Sequence, residues 1–367
     1  MTLAYSREHE DLRSAVRKLF SEQADSEHLR RSLDSDAPFD HDLWKSMAQD
    51  LGLHGMAVSE EYGGSGFGFL EQAVVLEEMG RVVHASPYLA SVVLAGNLLR
   101  LSGDDEACAR YLPGIASGDT VATAAVLDAS GAWAGTTTGL TLAREVLSGT
   151  APLVIDAAAA DLLLAVAHEE DEPVLVAVDV RQDGVRVTSH PALDETRGLA
   201  TVDFADAEAA VVARGAAVES ALAETELLVL AALCAEMVGA AGKVLEETVA
   251  YAKIREQFGV PIGSFQAIKF KAADMLLELE AARSASLSAS TAVAEGAEDR
   301  ALATEVAKAV CSDAFFAIAA ESIQIFGGIG FTWEHDAHFY FKRAKSSELL
   351  LGNADVHRER IAVRKGW

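Results

Sequence analysis

Apolar and polar positions alternate along the chain with two different periods, and the change of period divides it into three. In the first part Leu12, Val16, Leu19 and Phe20 recur at helical spacing with charges between them. Asp40 and Asp42 stand where a cap belongs before a helical segment at Leu43–Leu51. Tyr62-Gly63-Gly64-Ser65-Gly66 breaks the chain, helices follow over about 69–83 and 89–101, and Pro113-Gly114 closes the region. The spacing therefore predicts a helical N-terminal domain over 1–117.

Between 118 and 216 the period shortens. Apolar or β-branched runs at 121–127, 152–155, 162–166, 174–180, 185–188 and 210–213 alternate with turn clusters such as Asp128–Gly131 and Gln182–Gly184. This reads as a small β domain, barrel-like in outline. From 217 to 367 the helical period returns over about 217–255, 264–294, 298–325 and 335–350, with a short terminal helix from about 355. Four long helices joined by short Gly-punctuated loops predict a four-helix bundle. The fold class is α+β, mainly α.

Composition narrows the function classes. The 367 residues carry 30 Lys+Arg against 56 Asp+Glu, a formal charge of −26. That balance excludes a general nucleic-acid or anionic-membrane binder, though not an anionic ligand held by a few local cations. No lysine occurs between Lys45 and Lys243. Half the residues are hydrophobic, too many for a disordered chain. The uninterrupted apolar runs, such as 227–235, are too short for a membrane span. Cys108, Cys234 and Cys311 lie far apart with no CxxC, which reads as reduced thiols in a cytoplasmic protein. No His, Cys or acidic residues fall at metal-ligand spacing.

Three stretches can carry chemistry. Arg255-Glu256-Gln257-Phe258-Gly259-Val260-Pro261-Ile262-Gly263-Ser264 joins two long helices. Its arginine suits a phosphate, Phe258 offers a flat face, and Ser264 is placed to cap the following helix. Gln324-Ile325-Phe326-Gly327-Gly328-Ile329-Gly330 has glycines that let backbone N–H groups approach a ligand. No strand precedes it, so it is not a dinucleotide fingerprint. Leu349-Leu350-Leu351-Gly352-Asn353-Ala354-Asp355 ends one helix and can cap the last. Taken singly, each stretch reads equally as an ordinary helix corner, a Gly-rich turn or a capped helix end.

Taken in order, with Glu61-Tyr62-Gly63-Gly64-Ser65-Gly66 before them, these stretches resemble the acyl-CoA dehydrogenase family over essentially the whole chain. The resemblance implies the three-domain layout already read from the periods. It also implies FAD as cofactor, an acyl-CoA thioester as substrate and α,β-dehydrogenation to the trans-2-enoyl-CoA. In that family the corresponding R-x-x-F-G and Q-x-x-G-G residues contact FAD bound mainly by a neighbouring subunit. By resemblance these are Arg255, Gln257, Phe258, Gln324, Gly327 and Gly328.

Two departures matter. The family places its glutamate base at one of two positions, and here these hold Leu351 and Val229. Glu348 and Glu226 lie nearby as candidates for a displaced base. The Thr-Glu-Pro and Gly-Ser-Asp elements that cradle the flavin ring are replaced by Ala124-Ala-Val-Leu-Asp-Ala-Ser-Gly-Ala-Trp133. The chain therefore resembles the non-catalytic type of subunit of the heterotetrameric dehydrogenases of bacterial steroid side-chain degradation. That resemblance implies a second subunit of the same family as partner. A self-sufficient enzyme with a displaced base, and an inactive binding or assembly subunit, are the alternative readings.

Overall fold

The computed structural model describes residues 5–35 and 37–367. The first helices are α1 (Arg7–Gln23), α2 (Ser26–Leu33), α3 (His41–Gln49), α4 (Phe69–Arg81), α5 (Gly96–Leu101) and α6 (Asp105–Ser117), with a π-helical turn at Leu89–Ala95 leading into α5. Strands β1 (Ala122–Ala125), β2 (Thr141–Ala143), β3 (Val146–Ile155), β4 (Leu162–Glu169), β5 (Glu172–Asp179), β6 (Val185–Ser189), β7 (Leu199–Glu208) and β8 (Ala210–Arg214) follow. The rest is α7 (Ala216–Ile254), a short hairpin of β9 (Glu256–Gln257) and β10 (Val260–Pro261), α8 (Gln266–Ala294), α9 (Arg300–Phe326), α10 (Ala337–Leu349) and α11 (Ala354–Lys365). The chain is thus mainly helical with one central sheet, the α+β class read from the periods.

Contacts divide it into two compact units. One holds the chain up to Leu29, Ala73–His84 and Leu230–Trp367; the other holds Arg30–Gln72 and Ala85–Val229. In the second unit the strand order is β6-β7-β3-β2-β4-β5-β8, with β1 pairing parallel to β4 and nearly all other pairs antiparallel. Alternation explains which face is dry. Ala200, Val202, Phe204 and Ala207 of β7 point into a core with Leu147, Val154, Leu163 and Val176. On the other face Asp203 accepts from Thr150 Oγ1 at 2.7 Å and Asp206 from Ser148 Oγ at 3.1 Å. The β2–β3 hairpin turns on Arg144 and Glu145, both in the left-handed region without a glycine. Asp40 caps α3 as expected, accepting from the Asp42 and Leu43 amides at 2.8 and 2.9 Å. Pro113 does not end its helix: α6 runs through it and stops at Gly118, whose φ of +77° supplies the left-handed cap.

The first unit is a helical bundle in which α9 packs against α8, α10 and α11. Helix α1 is fastened to it by the buried Glu78. That carboxylate accepts from Arg17 at 2.7 and 2.8 Å and from Arg13 at 3.3 Å, with Arg81 at 3.8 Å. Helices α4 and α7 cross backbone to backbone. A Cβ on Gly239 would overlap the Glu77 carbonyl oxygen and lie 2.6 Å from its carbon; one on Gly80 would overlap the Glu236 oxygen and lie 2.8 Å from its carbon. The buried pair Arg343–Glu236 joins α10 to α7.

Judged on helices rather than on uninterrupted apolar runs, α7 and the segment 300–331 are long and apolar enough to cross a membrane. Buried core helices pass the same test of length and composition. In α7 the apolar window is 89% buried inside the protein, the condition of a core helix.

Candidate functional site

Helix α7 ends at Ile254, and the chain turns back at once. The Ile262 amide donates to the Arg255 carbonyl at 2.8 Å, and Gln257 pairs with Val260, so Phe258 and Gly259 alone make the turn. Their φ values of +56° and +79° define a type I′ hairpin. Asn or Asp is the usual first residue there; an aromatic residue costs about 1 kcal/mol more. Phe258 is nonetheless held at the tip, 94% exposed, with its ring edge-to-face with Phe265 at 6.2 Å. Arg255 and Gln257 are exposed beside it, and the Gln257 amide donates to the Glu256 carbonyl at 2.8 Å. Ser264 does not cap α8. Its hydroxyl donates to the Pro261 carbonyl at 2.7 Å, and Phe265 takes the cap position without a side-chain bond.

The second stretch lies at the end of α9. Gln324 is exposed on the last turn. Gly327 closes the helix at φ +65°, ψ −137°, a conformation open to glycine alone. Gly328 has an ordinary φ, and a Cβ there would meet nothing within 4 Å. The chain's own packing thus leaves open space over both glycines, as a backbone approached by another molecule requires. Tyr251 joins the two stretches: its hydroxyl donates to the Phe326 carbonyl at 3.4 Å, and the two rings meet edge-on at 5.0 Å. Arg255, Gln257, Phe258, Gln324, Gly327 and Gly328 therefore gather at one end of the bundle. Exposed Ile254, Ile329, Phe331 and Trp333 accompany them. Sequence reading passed over Tyr251; an aromatic one helical turn before the Arg255 corner was the available signal.

The third stretch is built differently. Asn353 caps α11, accepting from the Val356 amide at 3.1 Å. Leu351 is 1% exposed and left-handed at φ +63°. Glu348 is half-buried and paired with Lys345 at 3.0 Å. Glu226 is half-buried on α7 and belongs to the sheet-containing unit, as does the buried Val229.

The segment that replaces the flavin-ring cradle closes on itself. Asp128 Oδ1 accepts from the Ser130 amide at 2.8 Å, the Ser130 hydroxyl at 2.6 Å and the Ala132 amide at 3.0 Å. These bonds, the hydroxyl first, hold its carboxyl below the ordinary range. Leu127 bridges to Trp133 across the loop. The loop's hydroxyl and amides are spent on its own aspartate. Among the described residues no group of three His, Cys, Asp or Glu is placed to hold a metal, and the three cysteines are free and buried.

Comparison with known proteins identifies the family. Residues 222–366 match the family model for the C-terminal domain of acyl-CoA dehydrogenases, and 6–119 the model for the N-terminal domain. The acyl-CoA dehydrogenase IpdE2 of Mycolicibacterium smegmatis is 32% identical over 95% of both chains. Among solved structures, the Tcur3481-Tcur3483 steroid ACAD is 30% identical with a TM-score of 0.87, covering 98% of each chain. The ChsE4-ChsE5 complex from Mycobacterium tuberculosis is 28% identical with a TM-score of 0.90, covering 100% of this chain and 99% of that one.

Proposed function

The chain belongs to the acyl-CoA dehydrogenase family of FAD-dependent oxidoreductases, and we propose that it works there as one subunit of a hetero-oligomer, lending half of a flavin site to a partner of the same family. In this reading the partner supplies the ring cradle and the glutamate base. FAD, when bound, supplies the hydride acceptor for α,β-dehydrogenation of an acyl-CoA. This chain's residues bind and orient. Arg255 and Gln257 present donors to the phosphates, Phe258 presents its face to a ring, and the backbone at Gly327–Gly328 approaches the same ligand, with Gln324 beside it.

One observation carries the reading: the two halves of the family's flavin site differ in this chain. The candidate residues Arg255, Gln257, Phe258, Gln324, Gly327 and Gly328 are exposed at one end of the bundle, whereas within 124–133 the Ser130 hydroxyl and the Ser130 and Ala132 amides are bonded to Asp128. Steroid-derived acyl-CoA as substrate, a tetramer as the assembly, the cytoplasm as location and three domains at 1–117, 118–216 and 217–367 belong to the same proposal. Two similar structures support it: the ChsE4-ChsE5 complex, and the steroid ACAD that carries the paired name Tcur3481-Tcur3483.

The test is expression with and without a partner. The chain purified alone is expected to carry little flavin absorbance and little acyl-CoA dehydrogenation. Co-expression with a family member that has the glutamate and the ring cradle restores both. A yellow, active homo-oligomer of this chain would overturn the reading. Glu226→Gln and Glu348→Gln then decide whether a displaced base acts within it.

A further inference from the structure

Lys308 lies on α9 and is 0% exposed. A buried ammonium persists only where acceptors replace water. Its Nζ donates to the Glu348 carbonyl at 3.0 Å, the Gly352 carbonyl at 2.9 Å and the Ser312 hydroxyl at 3.1 Å. Two of these are main-chain groups on either side of Leu351. The carbonyl of Leu351 itself meets His357 Nε2 at 3.1 Å. A carbonyl only accepts, so Nε2 carries the proton. Burial and the neighbouring Lys308 push His357 down to about 4 and keep the ring neutral.

Leu351 needs such support. A side chain at φ +63° is crowded against its own backbone, and leucine adopts that region only when its surroundings impose it. The turn has one short-range bond of its own, from the Gly352 amide to the Leu349 carbonyl at 3.2 Å. The same face of α9 continues one turn back to Glu305, which accepts from Arg364 of α11 at 2.9 and 3.1 Å. One face of one helix therefore holds both the 349–352 loop and the helix that follows it.

We infer that Lys308 is a positioning residue: it holds the left-handed backbone at Leu351 and thereby fixes where the Leu351 side chain stands. The backbone part stands on this chain alone. Its consequence for catalysis rests on the shared-site reading above, in which the partner carries the base, so that loss of the clamp disturbs acyl-CoA binding more than the chemical step.

Amide hydrogen exchange on the full chain tests the backbone part. Lys308→Met keeps the length of the side chain and removes its donors. The amides of Leu350, Gly352 and His357 are expected to exchange at least tenfold faster, while those in the middle of α8 stay unchanged. Leu351→Gly and Leu351→Ala sharpen the test, because both remove the side chain and only glycine is relaxed at positive φ. With Lys308 in place, the glycine variant should protect the loop about five- to thirty-fold better than the alanine variant. With Lys308→Met added, that advantage should shrink toward unity. Unchanged exchange at 350–352, loosening spread evenly over the bundle, or a glycine advantage independent of Lys308 would each overturn the inference. If Lys308→Met yields no folded chain, Lys308→Arg and His357→Phe enter the same exchange experiment. The arginine variant should restore protection, and the phenylalanine variant should lose it at the same amides. In the flavin-loaded complex, Lys308→Met should raise KM for acyl-CoA more than it lowers kcat. If the wild-type complex binds no flavin, the shared-site reading fails while the exchange result still decides the clamp.

Discussion

The crossing of α4 and α7 offers a sharp test of packing, because no side chain there can yield. In Gly239→Ala the new methyl would overlap the Glu77 carbonyl oxygen and sit 2.6 Å from its carbon. Ordinary contact is about 3.5 Å, so the two backbones must separate by roughly 1 Å. Overpacking of this kind costs about 1–3 kcal/mol, with the upper end fitting a backbone neighbour. Helix propensity returns about 1 kcal/mol, since alanine is favoured over glycine inside a helix. The net expectation is a loss of about 2 kcal/mol, a melting temperature lower by roughly 3 °C for a chain of this length. Gly242→Ala is the control. It lies on the same helix with the same propensity gain, but its methyl would meet the Arg283 guanidinium end at 3.2 Å, a group that can swing aside. That variant should melt at or slightly above wild type. The two are compared by thermal unfolding followed by circular dichroism, under one set of conditions. If both glycines tolerate alanine equally, the close crossing does not constrain the fold, and the reasoning from Glu77 is wrong.

Other expectations follow from the same structure. Phe258→Gly should stabilise the isolated chain by about 1 kcal/mol, because it relaxes a left-handed aromatic residue, yet weaken flavin retention in the co-expressed complex; melting and absorbance at 450 nm report the two effects separately. Glu78→Ala removes a buried carboxylate shared by three arginines, of which Arg13 keeps Glu77 and Arg81 keeps Glu246, and should cost about 3 kcal/mol, whereas Arg17→Ala, at a half-exposed arginine, should cost nearer 1 kcal/mol. His357 gives a pH dependence of definite sign. Its folded pKa of about 4 lies below the ordinary 6.5, so between those values the unfolded chain binds the proton and the folded chain does not. Stability is therefore complete above about pH 6.5 and falls as pH drops toward 4, by about 3 kcal/mol for this group. Unfolding of wild type and His357→Phe across that range should differ in slope; parallel curves would show that the histidine is not held neutral.

What could be read from the sequence follows from the range over which each signal acts. Helix α1 and the Asp40 cap are local patterns, and both stand as read. Strand β7 was missed because Asp203 and Asp206 look like loop residues until their partners Thr150 and Ser148, some fifty residues earlier, are in place. The β2–β3 turn carries no glycine, so its left-handed pair Arg144-Glu145 leaves no trace in composition. The flavin-contact candidates could be named through the family resemblance, but not gathered: Tyr251 and Phe326 do that across seventy-five positions. The α4–α7 crossing shows the same limit. Gly80 and Gly239 read as weak points of two helices, and only their juxtaposition makes them necessary. Lys308 stands in an Ala-rich helix whose one other cation is Arg300 at its start, but its acceptors come from a loop forty residues later.

The chemistry of that lysine's bonds has a consequence for change over time. Lys308 and His357 address carbonyl oxygens, which every amino acid carries, so nothing in the clamp reads the side chain at position 351. A substitution there leaves the turn's own bonds in place, but an acid in place of the buried Leu351 bears the cost of burying a carboxylate. The backbone of the turn and the identity of its residue are thus set separately: the clamp fixes the one, and the packing around position 351 selects the other.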